Sequence, residues 1–286
     1  MKKTALVLSI ISIFFISSVI EMKPADAQFL GSVIINPDGS VTGTNKIHRN
    51  GNIYILIGDI SGGIQIQRSH VVIDGAGYTV EGNGEGDGID LSNGRGQDPS
   101  RSEINNVTVK NLKILNFYYG VDNANTNNNT FIGNYIENCQ SSFWIIGSLN
   151  NVITYNTMNS ASIAINYAGS NNITKNNFIN CWVMVWLSTQ PFVDGNYWSD
   201  YTTRYPGAKE IGNTGVWDTP YAYWENAVDN HPLIKPIAGS VNDVPDSPDE
   251  IEPFQTLLFV AITVTVVAMV TVGFLVYFKK RKRVVD

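Results

Sequence analysis

Leucine, basic residues and metal-ligating side chains are what this chain of 286 residues has little of. Scarce leucine excludes a leucine-rich repeat, which needs a regular Leu ladder. Between residues 28 and 250 there are 11 Lys and Arg against 21 Asp and Glu, a net of −10, so this portion is a poor partner for nucleic acid or anionic lipid. The only histidines are His48, His70 and His231, and with Met158 and Met184 they show no ligand-cluster spacing. Carboxylates are thin as well. Across residues 104–190 there are Asp122 and Glu137, with Glu103 at the edge, beside the bases Lys110, Lys113 and Lys175. Glycoside hydrolysis needs two placed carboxyls, and a lyase needs a base beside a neutralising charge. Catalysis is therefore not the expected function.

What is present begins with the two ends. Lys2 and Lys3, an apolar run from Ala5 to Ile20 and the small-x-small site Ala25-Asp26-Ala27 read as a signal peptide over 1–27. Residues 254–278 are 25 positions without a charge, followed at once by Lys279, Lys280, Arg281, Lys282 and Arg283. That pattern is expected of a single transmembrane helix with a basic cytoplasmic tail, 279–286, and the ectodomain outside the cell membrane. An acidic, Pro-containing linker, 239–253, precedes it.

Between the ends runs a repeat. VKNLKILNF (109–117), FIGNYIENC (131–139), ITYNTMNSA (153–161), ITKNNFINC (173–181) and VDGNYWSDY (193–201) superimpose with offsets of 22, 22, 20 and 20. HVVIDGAGYTV (70–80) is one more copy, separated by a Gly- and Asp-rich insertion over 82–100 that reads as a solvated loop. Helical repeats are longer and poor hosts for so much asparagine. The expected fold is all-β, a right-handed single-stranded parallel β-helix over 68–200. Cap regions flank it at 28–67 and 201–238.

The alignment yields columns. Val109, Phe131, Ile153, Ile173 and Val193 form one apolar column, and Ile114, Ile136, Met158, Phe178 and Trp198 a second. Val121, Phe143, Ile165 and Val185 form the third. Three polar columns accompany them: Asn134, Asn156, Asn176 and Asn196; Asn129, Asn151 and Asn171; and Asn116, Asn138, Ser160, Asn180 and Asp200. Stacked amides can donate to one neighbour and accept from the other, so all three are expected to be buried ladders. Asn172 and Asn177 fall between them and are expected to face outward. Cys139 and Cys181 lie two coils apart in one column, roughly 9 to 10 Å by strand spacing, too far for a disulfide. Both are expected to be buried free thiols.

RSHVVIDGAGYTVEGNGEGDGIDL, INNVTVKNLKILNFYYGV and the closing GNYWSDY…DTPY…DNHPL resemble the NosD-type β-helix proteins, in particular the surface-anchored archaeal type. The resemblance covers roughly residues 30 to 236. It implies a copper-related accessory role, since the family takes its name from a periplasmic factor in copper-site maturation. Many relatives also carry a calcium-suited acidic segment between the WSDY and DTPY signatures. Here that stretch, 202–217, has Glu210 as its single acidic residue, too few oxygen ligands for calcium. No cofactor and no metal site are therefore expected.

Other parallel β-helices process polysaccharides, so an enzyme of that kind is the alternative to a binding or scaffold module. No two carboxylates of residues 104–190 share a column in adjacent coils, and Asp87, Asp90 and Asp98 fall in the insertion. With Phe143, Ile165 and Val185 inward, Asp122, Trp144, Asn166 and Trp186 should form one outward stripe, suited to a surface polysaccharide or glycan. Alternatively the segment 200–236, with Trp217, Tyr221, Tyr223 and Trp224, folds back over the stripe. A passive surface spacer, with no site, is a third reading. Asn106, Asn128 and Asn172 begin glycosylation sequons.

Overall fold

The structure is a computed structural model that describes residues 33–92, 103–225 and 227–238. The signal-peptide segment, the acidic linker 239–253, the apolar run, the basic tail and Asp98 lie outside the described residues. Among the described residues no helix is long and apolar enough to cross a membrane.

Short strands alternate with sharp bends throughout. Two antiparallel additions come first: β1 (Val33–Ile35) with β2 (Val41–Thr42), and β3 (Ile47–Asn50) against β4 (Ile53–Leu56). The coils follow. β4, β5 (Ile60–Ser61) and β6 (Ile64–Ile66) make one turn, and β7 (Val72–Asp74), β8 (Thr79–Glu81) and β9 (Asp87–Asp90) the next. Then come β10 (Thr108–Lys110), β11 (Lys113–Leu115) and β12 (Tyr119–Asp122), and β13 (Thr130–Ile132), β14 (Tyr135–Glu137) and β15 (Ser141–Ile146). β16 (Val152–Thr154), β17 (Thr157–Asn159), β18 (Ser162–Asn166), β19 (Asn172–Thr174), β20 (Asn177–Ile179) and β21 (Val183–Trp186) complete about six turns. β22 (Phe192–Asp194) and β23 (Tyr197–Trp198) begin another.

Each strand pairs in parallel with its counterpart one coil away, so three sheets run the length of a parallel β-solenoid. Sheet 1 runs from β4 to β22, sheet 2 from β5 to β23 and sheet 3 from β6 to β21, with β1 and β2 on its edge. The first two apolar columns are register partners strand by strand. Their side chains are 0–4% exposed. A fully buried Ile or Phe is worth about 1.5–3 kcal/mol relative to an exposed one, so these columns are the main adhesive between coils.

Two of the three polar columns are amide ladders. Asn134, Asn156 and Asn176 each donate from Nδ2 to the Oδ1 of the next coil, at 3.0, 3.1 and 3.1 Å. The same Oδ1 atoms accept a backbone N–H from the preceding coil at 2.9–3.0 Å. Asn151 repeats both bonds to Asn171, while Asn129 receives only its N–H bond from Val107 and donates Nδ2 to Asn123. Burial costs these amides little because nearly every donor and acceptor is used.

The third polar column is not a ladder. Asn116, Asn138, Ser160 and Asn180 have φ between 51° and 61° and are exposed or half-buried. They turn the chain from sheet 2 to sheet 3, and asparagine is there because it accepts the left-handed backbone at lower cost than most residues. Asn106, Asn128, Asn150 and Ser170 do the same just before sheet 1.

The C-terminal end closes the last coil. Trp198 stacks between Phe178 (4.2 Å, 7°) and Tyr221 (4.2 Å, 11°), continuing the second apolar column with aromatic rings. Tyr221 opens a hairpin of β24 (Tyr221–Trp224) and β25 (Ala227–Asp229). The fully buried Asp229 carboxylate takes the place of the missing next coil. It accepts the N–H groups of Gly195, Asn196 and His231, Nδ2 of Asn196 and Nε1 of Trp198, at 2.9–3.2 Å. Burial pushes its carboxyl up from the ordinary value, and these donors oppose the shift. Asn177, expected to face outward, is instead buried: its amide exchanges two hydrogen bonds with the backbone of Ile237. The chain past Asp229 lies over the sheet there, which sequence distance concealed.

Candidate functional site

The outward face of sheet 3 is where the expected stripe falls, but the stripe is broken. Asp122 pairs with Trp144, Trp144 with Ala164, and Ala164 with Met184. Asn166 and Trp186 belong to the column of Ile146, two residues further along. The third inward column is accordingly Val121, Phe143, Ile163 and Val183, with Ile165 and Val185 in the next inward column beside Ile145. The cause is local. The offset is 22 at Glu137↔Asn159, 21 at Ser141↔Ser162 and 20 at Phe143↔Ile163, so the two-residue shortening falls at the bend and bulge that enter this strand.

The four residues also differ in access. Asp122 is fully buried, with Oδ1 accepting the N–H of Ala124. Trp144 is half-buried and stacks on Tyr119 at 4.7 Å and 15°, and Tyr118 meets Tyr119 edge-on. Asn166 is half-buried. Trp186 is 39% exposed and meets Trp224 edge to face at 5.7 Å. The C-terminal hairpin thus braces Trp186 without burying it. Cα spacing puts Trp144 and Trp186 roughly 12 Å apart, with the small Ala164 between their strands. Tyr119 was not singled out by sequence, although a Tyr one coil before a Trp on the same sheet was the available signal. Trp224 belongs to the segment expected to fold back over the stripe, and it does reach Trp186.

A second feature departs from expectation. The first part of the insertion is β9, a strand of sheet 3, and Asp90 is the register partner of Asp122. Gly88 has no room for a Cβ, which would meet Ile114 at 2.5 Å, and Ile89 lies in the core, while the flanking Asp87 and Asp90 side chains converge on Asp122. The Asp87, Asp90 and Asp122 oxygens lie within 4.8 Å of one another. Asp90, outside residues 104–190, therefore shares a column with Asp122 in the adjacent coil. All three are 0–6% exposed, and Asp90 is held by Gln65 Nε2, the Ser92 N–H and the Ser92 hydroxyl. A polymer cannot reach carboxylates so covered, which separates this cluster from the open acid pair of a glycosidase.

The donor set for copper does not fit. His48 and His70 are exposed and lie apart from His231, whose Nδ1 is 2.9 Å from Asp194. Cys139 is buried and Cys181, expected to be buried, is half-buried; both are free. Burial pushes each thiol up to about 12, so neither is a ready thiolate. Met158 is sealed in the core. Of the sequon asparagines, Asn106 and Asn128 stand exposed at bends, and Asn172 is half-buried within β19.

No family model, curated protein or solved structure matches this chain.

Proposed function

We propose that the protein is a surface-anchored, NosD-type right-handed β-helix that works as a non-catalytic binding module, with surface polysaccharide held on the outer face of sheet 3. The observation that carries this is Trp186 and Trp144 on one outward face, the former open and the latter braced by Tyr119. Indole faces suit the C–H faces of sugar rings, and the neighbouring Asn166 amide suits their hydroxyls. Asp122, being buried, supports that face from beneath and does not touch ligand. Membrane attachment rests on the charge-free stretch 254–278 and the basic residues after it, and export on the N-terminal pattern. The acidic balance leaves nucleic acid out of the partners. Asn106 and Asn128 are the glycan acceptors of choice, being exposed.

The test is a glycan array or cell-wall pull-down with the full chain, compared with Trp144→Ala/Trp186→Ala. At least a tenfold loss is expected, from roughly 1–2 kcal/mol of stacking at each ring. Unchanged binding contradicts the platform, and no selective ligand at all favours a passive spacer.

A further inference from the structure

A groove of about 590 Å³ lies on another face, where sheet 1 meets the C-terminal stretch. Tyr155, Phe192 and Leu233 wall it, with Lys175, Asp194 and His231 along its length. That volume falls within the range of small-molecule sites. Phe192 is 60% and Tyr155 39% exposed, so two aromatic side chains reach solvent two coils apart.

The backbone column at this corner reads Asn111, Gly133, Tyr155, Lys175 and Gly195, all at positive φ. Asparagine and glycine suit that backbone, whereas tyrosine and lysine tolerate it poorly. Both ill-suited residues line the groove. Strained residues of this kind collect at functional sites, where a side chain is worth its backbone cost. Lys175 is also the single Lys or Arg between Lys113 and Arg204. It makes no ion pair among the described residues, and its Nζ lies 5.5 Å from the Tyr155 ring centroid. The nearby Asp194 carboxylate is engaged by His231 Nδ1 at 2.9 and 3.0 Å. That contact orients an imidazole whose side chain is 61% exposed and whose Nε2 remains for a ligand.

We propose that this groove binds a short saccharide bearing a carboxylate. Its C–H faces lie on Tyr155 and Phe192, its carboxylate meets Lys175, and a ring hydroxyl meets His231 Nε2. Carbohydrate as the ligand class is shared with the preceding section, but the face is different and the acidic sugar is new.

The probes are a galacturonate trimer and the uncharged galactose trimer, titrated into the full-length protein by calorimetry. The acidic trimer is expected to bind at least fivefold more tightly. Lys175→Gly should bring its affinity down to that of the neutral trimer while leaving Tm unchanged or higher, because glycine relieves the positive φ. Tyr155→Gly/Phe192→Ala should lose both sugars, and Trp144→Ala/Trp186→Ala neither. Equal affinity for the two trimers, no binding of the acidic trimer, or unchanged binding in Lys175→Gly overturns the groove. Loss in the Trp144/Trp186 variant with retention in Lys175→Gly removes the groove and leaves the sheet 3 platform standing.

Discussion

Replacing Asp229 with alanine is expected to destabilise the solenoid by about 4 kcal/mol, one of the two largest effects a single change here should have. Five N–H donors converge on its carboxylate, four of them from Gly195, Asn196 and Trp198 at the end of the solenoid. Alanine would strand these donors in a buried site, each costing roughly 1–3 kcal/mol where no water enters. Part of that cost is recovered if the cap loosens and admits solvent, so the net is set below the sum. Asp229→Asn keeps the shape but turns an NH₂ toward donors, and should lose about half as much. Urea denaturation gives both values. A loss under about 1 kcal/mol for the alanine variant would mean the ladder needs no terminator.

Asn156→Ala is the second. Its Oδ1 accepts from the N–H and Nδ2 of Asn134, and its Nδ2 donates to the Phe131 carbonyl and to Asn176 Oδ1. Deletion opens a polar void in the middle of the ladder, and about 3 kcal/mol of destabilisation is expected. The contrast with Asn138 gives the comparison its force. Asn138 is exposed, at φ 52°, and sits there for its backbone. Asn138→Gly should be neutral or slightly stabilising, whereas Asn156→Gly should be at least as damaging as the alanine. Equal effects at the two positions would mean the two kinds of asparagine are not distinct.

Much of the solenoid was legible because sheets 1 and 2 sit at fixed offsets from the asparagines that turn or brace each coil. Val109 through Val193 and Ile114 through Trp198 could be aligned without a structure for that reason. Three things were not legible. Buried and corner asparagines have the same letter, so Asn134 and Asn138 looked equivalent although one is fully bonded and the other turns the chain. The two-residue shortening could have fallen anywhere between Met158 and Ile173, and its place at the bend before β18 decided which residues face Trp144. The Gly- and Asp-rich composition around Asp87 suggested a loop, yet small residues are what let β9 fit close against Ile114 and Phe117. As for the candidate site, alternation put Trp144, Asn166 and Trp186 on the outside in a single stripe, and the register shift entering β18 breaks that line. The burial of Asp122 depends on packing that no single strand reveals.

These observations divide the labour of the chain. Asparagine ladders hold the coil from within, and the proposed recognition rests on aromatic side chains on the outside. The most direct test of the first half is a double-mutant cycle between Asn156 and Asn176, read by equilibrium urea unfolding. Amides bonded to each other across coils should show a coupling of about 1 kcal/mol or more between Asn156→Ala and Asn176→Ala. The same cycle between the bend residues Asn116 and Asn138 should give none. Strict additivity at Asn156 and Asn176, within about 0.3 kcal/mol, would contradict the ladder.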